Sequence, residues 1–157
     1  MEDTVSLKVN GNNHIVEVEP DTPLLYVLRN NLLLNGPKYG CGLELCGSCM
    51  VLINGKATPS CRMPCTTAAK FDIITLEGLG NAEALHPIQK AFVEEQAAQC
   101  GYCMNGMIMC AKSLLEENRN PSDDEIRLAL QRVLCRCGTH TRMINAVKRA
   151  AAMWKRQ

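Results

Sequence analysis

The sequence predicts an α+β protein in two parts, with strands around one short helix over residues 1–77, a linker over 78–86 and a bundle of helices over 87–157. Three features carry that expectation. The first part alternates apolar and polar residues and carries two Asn-Gly turns. Beyond Pro87 the apolar residues recur at the helical period. Ten cysteines fall into one group per part, at 41, 46, 49, 61 and 65 and at 100, 103, 110, 135 and 137.

Val5, Leu7 and Val9 alternate with Ser6, Lys8 and Asn10, Asn10-Gly11 supplies a tight turn, and Ile15 to Val18 resumes the extended pattern, which reads as a hairpin. Thr22 is placed to cap a helix with Pro23 in its first position and Leu24, Leu25, Val27 and Leu28 on its buried side. Met50 to Ile53 then runs into Asn54-Gly55, a second hairpin turn, and Phe71 to Leu76 reads as a last strand. Gly78 to His86 shows no sustained period. Pro87 opens a helix with Ile88 and Phe92 inward, and a second helix from about Met104 places Met107, Ile108, Ala111, Leu114 and Leu115 together. Ser122 and Glu125 form a capping box for a third, with Ile126, Leu130, Val133 and Leu134 on one face. A fourth from about Thr141 groups Met143, Val147, Ala150 and Trp154.

Composition removes several function classes. Lys and Arg number 17 against 16 Asp and Glu, so no strong field favours nucleic acid or anionic lipid. One Trp, three Tyr and two Phe offer few stacking platforms for single strands. No apolar run reaches the roughly 18 residues of a membrane span. The acidic start, Met1-Glu2-Asp3, leads into a strand pattern without an export leader, so a cytoplasmic location with reduced thiols is expected.

Cys41, Cys46 and Cys49 are spaced C-x4-C-x2-C, with Cys61 after eleven intervening residues, the plant-type ferredoxin arrangement for a 2Fe-2S cluster. Each iron of such a cluster needs two soft anionic ligands besides the bridging sulfides. Gly36, Gly40, Gly42 and Gly47 are placed to adopt positive φ and to free backbone N–H groups for the sulfurs. A structural zinc on four thiolates is the competing reading. Cys65 lies close enough in sequence to replace Cys61, but reads better as a buried thiol. In the second group Cys100 and Cys103 pair with Cys135 and Cys137 across a 31-residue gap, both pairs at helix boundaries that a bundle can bring together. A thioredoxin-like dithiol would want a βαβ context that this half lacks. Zinc remains open here too, and Cys110 reads as core.

From Ile126 onward the chain carries basic residues at 127, 132, 136, 142, 148, 149, 155 and 156 and no acid. Nucleic-acid binding is one reading. Another is charge compensation, since two oxidised clusters with their thiolates, about −2 each, would take the formal +1 to about −3. A docking surface for a partner subunit is compatible with the second.

These residues resemble the small iron-sulfur subunits of the molybdenum hydroxylases, the xanthine oxidase family. Residues 35–41, 96–107 and 135–140, with Cys100-Gly101-Tyr102-Cys103 and Cys135-Arg136-Cys137-Gly138-Thr139-His140, look most like subunits of bacterial enzymes that hydroxylate N-heterocycles such as nicotinate and isoquinoline. The resemblance implies a β-grasp, ferredoxin-like domain followed by a four-helix bundle, each with one 2Fe-2S cluster. It implies a large partner subunit holding molybdenum and molybdopterin cytosine dinucleotide, with Gln99 and Cys137 in polar contact with that pterin. The ferredoxin-like cluster would face the next acceptor, FAD on a medium subunit or the haem of a cytochrome. No residue of this chain would be catalytic; it would relay electrons. The substrate would be an aromatic N-heterocycle, with an aldehyde, a purine or carbon monoxide as family alternatives. A zinc- or cluster-containing redox sensor or interaction module is the reading from another class. Two departures stand out from the pattern C-G-x-G-x-C-G-A-C: Glu44 replaces a glycine and Ser48 an alanine. Glu44 adds negative charge that disfavours reduction, and Ser48 can donate a hydrogen bond that favours it. The Gly138-Thr139 order also inverts the commoner Thr-Gly, and His140 is a candidate contact for a partner or cofactor.

Overall fold

The computed structural model describes residues 3–154. It is α+β, with a five-stranded mixed sheet ordered β2-β1-β5-β3-β4 and helices that come mostly after it in the chain. Strands β1 (Asp3–Val9) and β2 (Asn12–Val18) form the first hairpin, and Asn10 and Gly11 both take positive φ, 51° and 81°, as the twist of a tight hairpin demands. The second hairpin, β3 (Met50–Ile53) and β4 (Lys56–Pro59), turns in the same way at Asn54 and Gly55. Strand β5 (Asp72–Ile74) pairs parallel to β1 and antiparallel to β3, and so joins the two hairpins at the centre of the sheet.

Helix α1 (Leu24–Tyr26) runs on into a π-helical turn over Val27–Asn31, burying Leu24, Leu25, Val27 and Leu28 as expected. Its cap differs from the expectation. Pro23, extended at φ −60° and ψ 135°, precedes the helix, and no side chain caps it. The Leu24 and Leu25 N–H groups donate instead to the Met63 and Ser60 carbonyls, so the loop after β4 satisfies the helix end that Thr22 leaves alone. A short helix α2 (Cys65–Ala68), which no sequence pattern announced, follows. Its residues carry little periodicity because it is a single turn.

Helices α3 (Pro87–Glu94), α4 (Met104–Glu117), α5 (Asp123–Leu130) and α6 (His140–Trp154) lie where the helical period placed them. The Ser122 hydroxyl accepts from Glu125 N–H at 3.3 Å, and the Glu125 carboxylate accepts from Ser122 N–H at 2.7 Å. An unforeseen reciprocal cap opens α3, where His86 Nδ1 accepts from Ile88 N–H at 3.2 Å and the Gln89 side chain from His86 N–H at 2.9 Å. Leu134 corrects the third expected face. Helix α5 ends at Leu130, the chain turns, and Leu134 emerges 67 % exposed while Val133 stays buried. The expected linker is locally ordered, as Asn81 accepts from Glu83 and Ala84 N–H groups.

Strand β3 is buried on both faces, which a continuous apolar run permits. Val51 and Ile53 join the core under α1, whereas Met50 and Leu52 pack with residues of α3 to α6. The sheet and the helices therefore share a strand as common wall.

Candidate metal centres

The loop between α1 and β3 carries the first three cysteines. The N–H groups of Leu43 and Leu45, each at 3.2 Å, and of Cys46 at 3.3 Å converge on Cys41 Sγ, while Cys41 N–H donates to Cys46 Sγ at 3.3 Å. These donors, Leu43 first, hold the Cys41 thiol down at about 7, which favours its thiolate form. Cys49 and Cys61 are buried together against Leu25. Burial pushes Cys61 up to about 11 against the pull of Glu44 N–H, and the Cys49 thiol beside it adds to the rise.

The loop wraps as it does because Gly42, Glu44 and Gly47 all take positive φ, at 66°, 63° and 73°. Gly36 and Gly40, expected to do the same, do not. At Gly40 the missing side chain matters instead, since a Cβ there would stand 2.6 Å from Cys46 Sγ. Cys65 is fully buried in the sheet core with its thiol against the Pro20 carbonyl at 3.4 Å, so it does not join the other four.

In the second group, Cys100 and Cys103 lie between α3 and α4, and Cys135 and Cys137 between α5 and α6. The Cys100 and Cys137 sulfurs stand 3.4 Å apart. Cys103 and Cys135 form the other thiol pair, and burial drives the Cys103 thiol up to about 12. Cys100 is exposed, and its thiol is lowered, first by the Tyr102 N–H and next by Cys137. Cys110 is core on α4, raised to about 11 by burial.

In each group the four thiols therefore meet two by two: Cys41 with Cys46, Cys49 with Cys61, Cys100 with Cys137, Cys103 with Cys135. Among the described residues no three His, Cys, Asp or Glu side chains converge as on one ion. A tetrahedral zinc wants four thiolates around one point, whereas a 2Fe-2S rhomb wants one pair at each iron. The donor set and its pairing fit the rhomb.

The two groups are joined. Leu134 N–H donates to the Cys46 carbonyl at 3.0 Å, so the first cysteine loop is hydrogen-bonded to the neighbour of Cys135. Asn105 of α4, 1 % exposed, donates from Nδ2 to the carbonyls of Ser48 (3.0 Å) and Met50 (2.9 Å). Gly47 and Gly106 pack backbone to backbone, a Cβ on Gly106 falling 2.3 Å from the Gly47 carbonyl oxygen. Neither Asn105 nor Gly106 has a periodicity signal, and only their place just after Cys103 could have drawn attention to them. Ser48 is buried with its hydroxyl 3.6 Å from Cys46 Sγ.

Gln99, next to Cys100 in the chain, is exposed, as are Arg136 and Gly138 on either side of Cys137. His140 is exposed and lines, with Leu130, Leu134, Cys135 and Ile144, a groove of about 430 Å³. The basic run is largely neutralised within the fold: Lys148 pairs with Asp123, Arg149 with Glu94 and Glu95, and Arg127 with Asp124. Arg132 and Arg142 donate to the carbonyls of Ala57 and Gln96. Lys155 and Arg156 lie outside the described residues. A surface so paired is a poor electrostatic match for phosphates. No described helix is long and apolar enough to cross a membrane.

Residues 7–71 match the 2Fe-2S iron-sulfur cluster binding domain and residues 75–148 the [2Fe-2S] binding domain. The chain is 60 % identical over 151 residues to a nicotinate dehydrogenase subunit of Pseudomonas putida, covering 96 % of each. It is 49 % identical over 137 residues to the isoquinoline 1-oxidoreductase alpha subunit of Brevundimonas diminuta, covering 87 % of this chain and 90 % of that one. Quinoline 2-oxidoreductase from Pseudomonas putida superposes with a TM-score of 0.92 at 37 % identity, covering 99 % of this chain and 97 % of that chain. The aldehyde oxidoreductase of Desulfovibrio desulfuricans contains the same fold as 17 % of its longer chain, with a TM-score of 0.93 at 39 % identity over 99 % of this one. With its paired thiols in two groups and these relatives along its whole length, the chain belongs to the small iron-sulfur subunits of the molybdenum hydroxylases.

Proposed function

We propose that this chain is the electron-transfer subunit of a molybdenum hydroxylase acting on an aromatic N-heterocycle, without catalytic residues of its own. One observation carries the reading: eight thiols gathered as two sets of two pairs, each set suited to one 2Fe-2S cluster. Cys41, Cys46, Cys49 and Cys61 hold the first cluster in a β-grasp domain over residues 1–77. Cys100, Cys103, Cys135 and Cys137 hold the second in a four-helix bundle over 87–157, with 78–86 as the connection. The clusters supply one-electron capacity in two steps between a two-electron reaction and its acceptor. The Leu134 N–H bond to the Cys46 carbonyl links the two ligand-bearing stretches of backbone directly.

A large subunit with molybdenum and molybdopterin cytosine dinucleotide docks on the open edge formed by Gln99, Cys100, Arg136 and Cys137, where Gln99 and Cys137 meet the pterin. Support comes from the exposure of Gln99 and Cys100 and from the relatives, which are named as subunits of nicotinate and isoquinoline enzymes. The exposed Leu43 and Leu45 of the first loop face the next acceptor, an FAD subunit or a cytochrome. The test is the purified native assembly: about four iron and four sulfide per copy of this chain, two distinct paramagnetic centres after dithionite reduction, and a large molybdenum-containing chain in the complex. A colourless zinc protein, or a single centre, defeats the reading. Cys41→Ser is expected to abolish the first signal alone and Cys135→Ser the second alone; loss of both from either substitution defeats the assignment of ligands to separate sites.

A further inference from the structure

Thr139 stands at the N-cap of α6, since its carbonyl accepts the first helical bond from Met143 N–H at 3.1 Å. A threonine in that place ordinarily turns its hydroxyl onto the N–H groups of the first turn. This one does not. Thr139 is buried, 6 % exposed, and its Oγ1 makes no hydrogen bond of ordinary geometry. A buried hydroxyl without a partner costs free energy, so a fold that keeps one there has another use for it. The group it stands against is the sulfur of Cys135, four residues earlier. The N–H groups of Cys137 and Gly138 face the same sulfur, so the Thr139 hydroxyl stands among the donors gathered around it. A neutral thiol is a weak acceptor, whereas a thiolate on iron is a strong one.

We propose that Thr139 is a positioning residue for electron transfer, its hydroxyl donating to the Cys135 thiolate and raising the potential of the second cluster. The proposal rests on the two-cluster reading above. Its sign follows from charge: the reduced cluster carries one more electron than the oxidised one, so a donor aimed at its sulfur stabilises the reduced form more. Burial strengthens the effect by excluding water that would otherwise screen it. Ser48, also buried and with its hydroxyl 3.6 Å from Cys46 Sγ, is the counterpart at the first cluster and serves as internal control.

The experiment is a redox titration of the full-length, cluster-loaded chain, following the two paramagnetic centres separately. Thr139→Val keeps the shape and removes the donor. It is expected to lower the reduced-to-oxidised ratio of the second cluster at fixed potential about tenfold, a shift of about 59 mV for one electron. The first cluster should not move. Thr139→Ser keeps the donor and should hold the native potential, while Ser48→Ala should shift only the first cluster. If the valine chain does not assemble, Thr139→Ala, which needs no added space, takes its place. An unmoved second potential in the variant lacking the hydroxyl, or an equal shift in Thr139→Ser, overturns the proposal. A native chain without a second centre overturns the two-cluster reading instead.

Discussion

Gly106→Ala isolates the contact that presses the first cysteine loop against α4. In a free helix the change is favourable, since alanine is better than glycine by about 1 kcal/mol in a helix interior. Here the added methyl would lie 2.3 Å from the Gly47 carbonyl oxygen and 2.9 Å from Val133 Cγ1. Ordinary contact begins near 3.4 Å, so the loop or the helix must retreat by about 1 Å. Neither is free to do so. Gly47 lies between Cys46 and Cys49, Cys46 is hydrogen-bonded to Leu134, and the adjacent Asn105 is tied to Ser48 and Met50. Overpacking against such constraints costs about 2–3 kcal/mol, leaving a net loss of about 1–2 kcal/mol after the helical gain. With a urea dependence of about 2 kcal/mol per molar, the unfolding midpoint of the loaded chain should fall by about 0.5–1 M. The first cluster's paramagnetic signal should broaden more than the second's. A midpoint raised by the amount helix propensity alone predicts would refute the close contact as the reason for a glycine at 106.

Three further outcomes are expected. Glu44→Gly relieves a non-glycine residue held at φ 63°, stabilising the loop by about 1 kcal/mol, and removes a carboxylate from the loop that carries Cys41 and Cys46, so the first cluster should become easier to reduce; an unchanged potential would show that solvent screens the charge fully. His86, lowered chiefly by burial and next by Lys112 and raised by Glu116, sits edge-on to Trp154, whose ring also carries Lys112 and Arg119. Its folded pKa lies below the unfolded 6.5, so its contribution is fully present above pH 6.5 and is lost as pH falls through the lower folded value. Thermal unfolding across that window should depend on pH in the native chain and less so in His86→Asn, which keeps a capping oxygen without a titrating ring. Asn105→Ala leaves the Ser48 and Met50 carbonyls without their buried donor and should cost about 1–3 kcal/mol by urea unfolding; a loss well under that would mean water replaces the amide.

Much of this protein is written locally. The Asn-Gly turns at 10–11 and 54–55, the Ser122 and Glu125 box and the apolar period of α4 and α6 each act through neighbours a few residues apart, so each is legible in the chain. The cysteine spacings belong to the same class, because a loop of fixed length bounds how closely its sulfurs approach. What tertiary structure alone decided are the contacts between parts distant in sequence. Helix α1 is capped by the Met63 and Ser60 carbonyls rather than by Thr22, Leu134 is turned outward where α5 stops, and Thr139 keeps its hydroxyl from its own helix. The pairing of thiols, two by two, and the hydrogen bond that ties Cys46 to the neighbour of Cys135 belong here as well. Periodicity reports which side of an element is apolar, but not which group of another element will stand opposite. That is settled only when burying both faces of β3 brings the sheet and the helices together on one strand.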